Sequence, residues 1–442
     1  MEIINPAHVT PARSLSLSES RPLRYAAFFY LYVMQGIPAG FALTAVANYL
    51  TAENTSPKIV GTFVAVVGLP WAVQFVWGPV IDLFQSSPMG RRKPWVLLSQ
   101  LMAFVASLGV LLVENPASQV STLAAAFFIH SVFASLQDAS VDAMAISIIP
   151  ETDRGRVNAF MRGGMLFGSG VGAAGMAYLI RHSGFFYAAL AQSLILLGMT
   201  AITCFIKEKS GDALLPWSSR ARTEPTATDV PRVNLRGLFA ELFRGLLSSQ
   251  SLRMFGAIIV VYTFLSVFIR AFSVHLIQQL KWADTSLSVL SGTYGTLGAL
   301  IIILTGGILA DKIGSRKLLV IMMFIIGSFL VTFNLLAQFW SDPTVTTTGL
   351  IIWYTFDPGF SVAAMPVLMA LCRKGIEGSQ FTTYMALVNL SDVAGAFVSG
   401  HALSWFSAPV IGLFCGGVVV VVAMLVVGKT FLNVRRSPPE QA

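Results

Sequence analysis

Asp138 and Asp142 stand four residues apart in the run Leu136-Gln137-Asp138-Ala139-Ser140-Val141-Asp142-Ala143, inside an apolar stretch from about Ser121 to Pro150. Residues i and i+4 share one helix face, which sets the two carboxyls roughly 6 Å apart along the axis. Acids in hydrocarbon are expensive, and those that occur usually face a water-filled cavity. Two carboxyls held close together at low dielectric can take up and release a proton, so proton coupling is the chemistry expected of Asp138 and Asp142. The alternative is a structural pair that satisfies polar groups on neighbouring helices, and Asp142 can also pair with Arg154 or Arg162.

Other polar groups fall at similar depth. Gln35, Gln137, Arg270, Trp353, Tyr354 and Asp357 are candidates for binding a solute. Arginine stays charged when buried and offers a forked donor set for carboxylate or phosphate. Arg270 therefore either grips an anionic substrate or neutralises Asp357 or Asp138 in an internal salt bridge. Trp353 and Tyr354 can stack on a ring of the solute or pack against their neighbours.

The elements that position these groups must cross a membrane. The chain has 442 residues, 55% of them apolar and 11% charged, against about 25% charged in a soluble domain. The net charge of +8 is spread over short loops, so no nucleic-acid footprint is expected. There is no G-x-x-x-x-G-K-S/T loop and no glycine fingerprint following a strand, which argues against an ATP-driven pump and a dinucleotide enzyme. No catalytic residues are expected. Cys204, Cys372 and Cys415 show no metal-ligand or disulfide spacing, and no cofactor is expected; a proton gradient would be the driving force.

A crossing needs about 20 mainly apolar residues. Twelve such stretches are read: 25–50, 59–84, 95–113, 121–149, 157–181, 184–206, 252–280, 286–310, 317–338, 347–371, 379–403 and 408–431. They give an all-α membrane protein with a tail at 1–24, six helices over 25–206, a hydrophilic linker at 207–251, six more over 252–431 and a tail at 432–442. The linker's end, from Leu235, is expected to form a short amphipathic helix. Lys and Arg cluster in alternate loops: Arg91-Arg92-Lys93, Arg154 and Arg156, the linker, Lys312 with Arg316-Lys317, and Arg373-Lys374. The positive-inside rule then places both termini in the cytoplasm.

An internal repeat supports the two halves. Gly307-Ile308-Leu309-Ala310-Asp311-Lys312-Ile313-Gly314-Ser315-Arg316-Lys317 follows the eighth span. Gly78-Pro79-Val80-Ile81-Asp82 follows the second, with a longer turn to Gly90-Arg91-Arg92-Lys93. The C-terminal copy resembles the loop signature of the major facilitator superfamily, a 6+6 parallel repeat. Three N-half stretches resemble the AmpG-related permeases, a branch with muropeptide and siderophore members: Gly68-Leu69-Pro70-Trp71 through Phe75-Val76-Trp77-Gly78-Pro79; Gly90 through Trp95; and Gln137-Asp138 with Asp142-Ala143, then Asp153-Arg154-Gly155. The sequence departs from muropeptide permeases at Gln74, where they carry lysine, and at Met144-Ala145, where they often carry an aromatic–arginine pair.

The resemblance implies a carrier with twelve transmembrane helices in two six-helix halves, whose first, fourth, seventh and tenth helices line a central cavity. It implies gating roles for Asp82, Arg91 and Arg92 and for Asp311, Arg316 and Lys317 at the cytoplasmic end. It implies proton-coupled import of a small polar or anionic solute by alternating access, with muropeptides the first expectation. A siderophore permease of the same branch and a proton-antiporting exporter are the alternatives. Glycines 164, 168 and 172, and glycines 292, 295 and 298, are expected on faces that slide between the halves, or in packing within one half. The expected partners are a small-molecule substrate and the lipid bilayer of the bacterial inner membrane, with no nucleic acid, and the working unit is expected to be a monomer.

Overall fold

Hydrocarbon offers no water to an unpaired peptide group, so each crossing satisfies its backbone internally as a helix. The computed structural model describes residues 16–83, 87–150, 153–216, 235–373 and 377–434. The N-terminal half holds α1 (Arg21–Ala52), α2 (Pro57–Val76, continued by Trp77–Leu83), α3 (Lys93–Leu112), α4 (Val120–Ile148), α5 (Arg156–Ser183) and α6 (Phe185–Cys204). The C-terminal half holds α7 (Ser249–Gln279), α8 (Asp284–Leu290, running on through Ser291–Gly295 into Thr296–Ile313), α9 (Ser315–Leu335), α10 (Pro343–Trp353 and Phe356–Leu371), α11 (Glu377–Ala402) and α12 (Ala408–Val434). Eleven helices among the described residues are long and apolar enough to cross a membrane. Several starts carry a side-chain cap: Ser20 Oγ accepts from Leu23 N–H, Ser56 Oγ from Ile59 N–H, and Asp342 Oδ1 from Thr344 N–H at 2.8 Å. Proline in the first turn follows each cap, where its missing donor costs nothing.

The tenth crossing departs from the uninterrupted span expected over 347–371. It breaks at Tyr354-Thr355, and Asp357 falls in the first turn of the segment that follows. Hydropathy does not register the break because the residues around it are themselves apolar or aromatic. A short helix at Leu235–Leu246 ends the linker, and its Gly245 lies against the Gln380 amide of α11.

The halves meet at the end remote from the termini. Asn48 Nδ2 donates to Ser288 Oγ at 2.9 Å, and Gln278 Nε2 donates to the carbonyls of Thr51 and Thr55 at 3.2 and 3.0 Å. Arg181 pairs with the buried Asp284 at 2.9 Å. Two backbone crossings lie beneath this seal. At one, Gly61 of α2 meets Gly400 of α11, where an added methyl would lie 3.0 Å from Gly400 Cα. At the other, a methyl on Gly292 of α8 would lie 2.6 Å from the Gly170 carbonyl of α5. Only glycine admits so close an approach. π-helical turns occur at Phe41–Val46, Val171–Gly175, His275–Gln279 and Ser291–Gly295, all on helices that form this seal.

The glycine rows have a different task from sliding between halves. Gly164, Gly168 and Gly172 pack on the backbone of α1 at Phe29, Val33 and Ile37, within the N-terminal half. Gly295 and Gly298 face Tyr354 and Thr355 within the C-terminal half. Of these glycines, Gly292 makes the cross-half contact.

At the end carrying the termini, Leu17 and Ser18 donate their N–H groups to the carbonyls of Lys207 and Glu208 at 2.9 and 3.0 Å. Beside this strap, buried Arg24 and exposed Arg21 both pair with Asp153 at 3.1 Å. Asp153 opens the Asp153-Arg154-Gly155 run, so that motif anchors the start of α5 to the start of α1.

Candidate functional site

The site lies between the halves, at mid-span. On α4, Asp138 and Asp142 lie on the face that meets α1, where the Tyr32 hydroxyl donates to Asp142 Oδ1. One turn earlier on α4, Ser135 Oγ accepts from Trp77 Nε1 at 3.0 Å, which ties the tryptophan of the Phe75–Pro79 run to the acid-bearing helix. Arg162 of α5 is exposed although it lies within a crossing. Its guanidinium acts electrostatically on Asp138, Asp142 and Tyr32 in its own half. It acts also on Asp357 and Tyr262 in the other. Each half thus sets a tyrosine of its first helix near an acid of its fourth, and Arg162 is within electrostatic reach of both pairs.

Arg270 of α7 pairs with Asp392 of α11 at 3.4 Å, and not with Asp357 or Asp138, the partners named in the salt-bridge alternative. Its other terminal nitrogen donates to the Leu43 carbonyl at 3.5 Å, reaching into the π-helical turn of α1 in the opposite half. Above this contact lies a cavity of about 330 Å³, lined by Asn48, Thr51, Ser169, Ser291 and Tyr354 as well as Arg270. Arg162, Asp357 and Asp392 are exposed at mid-span. With the far end sealed, they face a space open toward the end that carries the termini.

Three expected binding residues sit elsewhere. Gln35 and Gln137 are 3% and 2% exposed, inside the N-terminal half. Trp353 is 5% exposed and packs against Phe268 and Phe356 at ring-centroid distances of 4.7 and 5.7 Å, so it builds the C-half core instead of stacking on a solute. A wide aromatic ring buries more area in that cluster than it would at a wet wall. Tyr354 does line the cavity.

The loop residues expected to gate divide similarly. The side chains of Asp82 and Asp311 lie outside the described residues, and Arg316 and Lys317 are exposed at the start of α9. In the N-terminal copy, the backbone N–H groups of Arg91, Arg92 and Lys93 all donate to the Glu208 carboxylate just beyond α6. Gly90, at φ +117°, gives the turn its shape and leaves room for that carboxylate. Lys93 Nζ donates to the carbonyls of Cys204 and Leu214 at 2.8 and 2.9 Å. The longer turn of this copy therefore closes on its own half.

Sequence reasoning missed Asp392 and undervalued Arg162. Asp392 lies 122 positions from Arg270, and no local spacing links them. Its signal was an acid within an apolar span, the same signal that singled out Asp138.

Two six-helix halves, sealed at one end, with a cluster of acids and arginines between them at mid-span, define a membrane carrier. The chain belongs to the Major Facilitator Superfamily, whose family model matches residues 25–276 and 254–442. It is 26% identical over 396 residues to the anhydromuropeptide permease of Escherichia coli (strain K12), covering 87% of this chain and 76% of that protein. It is 23% identical over 384 residues to putative transporter AmpG 3 of Rickettsia prowazekii (strain Madrid E), covering 84% and 87%. Among solved structures, the peptide transporter POT in complex with sulfate aligns with a TM-score of 0.66 at 10% identity, covering 92% of this chain and 94% of that one. The nucleoside transporter NupG aligns with a TM-score of 0.65 at 15% identity, covering 92% and 98%. The chain is a transporter and not an enzyme.

Proposed function

We propose that this transporter is a proton-driven importer of anhydromuropeptides, working by alternating access in the inner membrane of a bacterial cell with both termini in the cytoplasm. The observation that carries the reading is the Asp138–Asp142 pair, bound to Tyr32 and facing Arg162 in the space between the halves. It stands on a chain related along 87% of its length to an anhydromuropeptide permease. Asp138 is the proton carrier and Asp142 its partner. With the termini cytoplasmic, the structure is in an inward-open state, from which a solute leaves. The polar lining of the cavity, from Asn48, Thr51, Ser169, Ser291 and Tyr354, suits sugar hydroxyls. The protein works as a monomer, since each chain contains both walls of the cavity, and no cofactor takes part.

The test is uptake of labelled anhydromuropeptide into liposomes holding the purified protein, with the interior made alkaline. Accumulation that a protonophore abolishes is expected. Uptake of a ferric siderophore in place of the muropeptide would assign the chain to the other substrate of this branch. Solute efflux accelerated by the same inward proton gradient would make it an exporter.

A further inference from the structure

Arg270 and Asp392 form an unusually loose pair for charges at mid-span. Their separation of 3.4 Å exceeds the ~2.7–2.9 Å of a well-made charged hydrogen bond. A guanidinium carries five N–H donors. Here the remaining contact runs 3.5 Å to the Leu43 carbonyl, and Nε is buried with no hydrogen-bond partner among the described residues. The Asp392 side chain is 53% exposed, and that of Arg270 is 22% exposed. Arg270 also lines the cavity of about 330 Å³.

The charge balance of this wall points to the ligand. Asp357 lies within electrostatic reach of Asp392. With Asp138 and Asp142 on the opposite wall, four carboxyls stand against two guanidiniums, Arg270 and the shared Arg162. A purely anionic solute would deepen that excess, whereas a solute bringing a cation beside its carboxylate would correct it. We infer that the Arg270–Asp392 pair docks a zwitterionic group, with the ligand carboxylate on Arg270 and its ammonium between Asp392 and Asp357. The loose pairing holds both partners in place while leaving them accessible for the ligand to displace. A peptide end bearing a free amine and a free carboxylate has this chemistry. The inference rests on the muropeptide reading for the identity of the whole substrate, and it assigns the peptide end of that substrate to this pair.

Binding to the purified full-length chain in lipid nanodiscs tests this, using two sets of probes. One is an anhydromuropeptide whose stem peptide ends in a residue with a free amine and a free carboxylate, compared with its N-acetylated and C-amidated forms. The other is alanyl-alanine with its ends free, acetylated or amidated. The free-ended probe is expected to bind about 10-fold or more tightly than either blocked form. Asp392→Asn is expected to reduce the penalty for acetylation alone, with Asp357 retaining the rest, and Arg270→Gln to erase the penalty for amidation alone. A merely structural pair would weaken all forms equally. Muropeptide binding that is indifferent to blocking overturns the inference and leaves the proposed function standing. Discrimination among the dipeptides without muropeptide binding sustains the inference and removes the proposed substrate. Binding of neither set overturns both.

Discussion

The hydroxyl of Tyr32 on α1 donates to the carboxylate of Asp142 on α4, one helical turn from Asp138. This bond ties the acid pair to the first helix, within electrostatic reach of Arg162, the cation that the acids of both halves share. Tyr32→Phe and Asp142→Asn should therefore be non-additive. A double-mutant cycle on thermal stability is expected to return a coupling of about 1.5–3 kcal/mol, the range for a hydrogen bond to a charged group. Additive losses would mean that the bond contributes nothing.

Asp138→Asn should end accumulation driven by a pH gradient while leaving exchange of labelled for unlabelled solute across the membrane. The side chain keeps its shape and loses its proton. Gradient-driven uptake at the normal rate would remove Asp138 from the coupling step. Loss of both activities, with the fold intact, would make it a binding residue.

Arg162→Gln removes the positive charge that acids on both walls face. The side chain is exposed, so the stability cost is expected to be only on the order of 1 kcal/mol. Transport should fall far more than stability, because like-charged walls then repel when they must approach. Arg162→Lys should recover part of the transport. A melting temperature that falls in proportion to transport would assign Arg162 a structural role only.

Gly292→Leu places a branched side chain where α8 meets the Gly170 carbonyl. Overpacking of this kind costs about 1–3 kcal/mol, and it is felt only when the remote end is closed. The variant should favour the opposite opening. The readout is labelling of Asn48→Cys by a membrane-impermeant thiol reagent applied from the face remote from the termini. It should rise in the Gly292→Leu background, and unchanged labelling would show that this crossing does not hold the seal.

Glu208→Ala strips the acceptor from three successive backbone N–H groups. Charge-assisted bonds of this type contribute about 1.5–3 kcal/mol each, with incomplete additivity, and a total loss on the order of 3 kcal/mol is expected by thermal melting. A negligible change would mean that water replaces the carboxylate freely.

Hydropathy made the architecture readable because hydrocarbon imposes length and composition on every crossing. The acids and arginines stood out for the same reason, as polar groups in segments that exclude them. Facing was harder to read. Gln35 and Gln137 lie on helices with polar residues on more than one side, and periodicity alone did not separate a buried amide from one lining a cavity. Trp353 could stack on a ligand or fill a core, and its partners Phe268 and Phe356 come from two different segments. The break before Asp357 had a local signal that hydropathy passes over: Pro358 has no N–H to offer the Tyr354 carbonyl four residues back, and its ring crowds that carbonyl, so the helix is interrupted there. The Arg270–Asp392 pair depends on the approach of α7 and α11, which no local pattern encodes.

Ser16–Ser18 and Lys207–Glu208 belong to the first and last stretches of the N-terminal half to be synthesised, and they bind one another. Glu208 then clamps the loop between the second and third crossings from the same position. These contacts become available only after α6 has left the ribosome, and they need nothing from the helices that follow. The first half can therefore close upon itself as an insertion intermediate while the second is still being translated. The later helices then dock on a surface already in place.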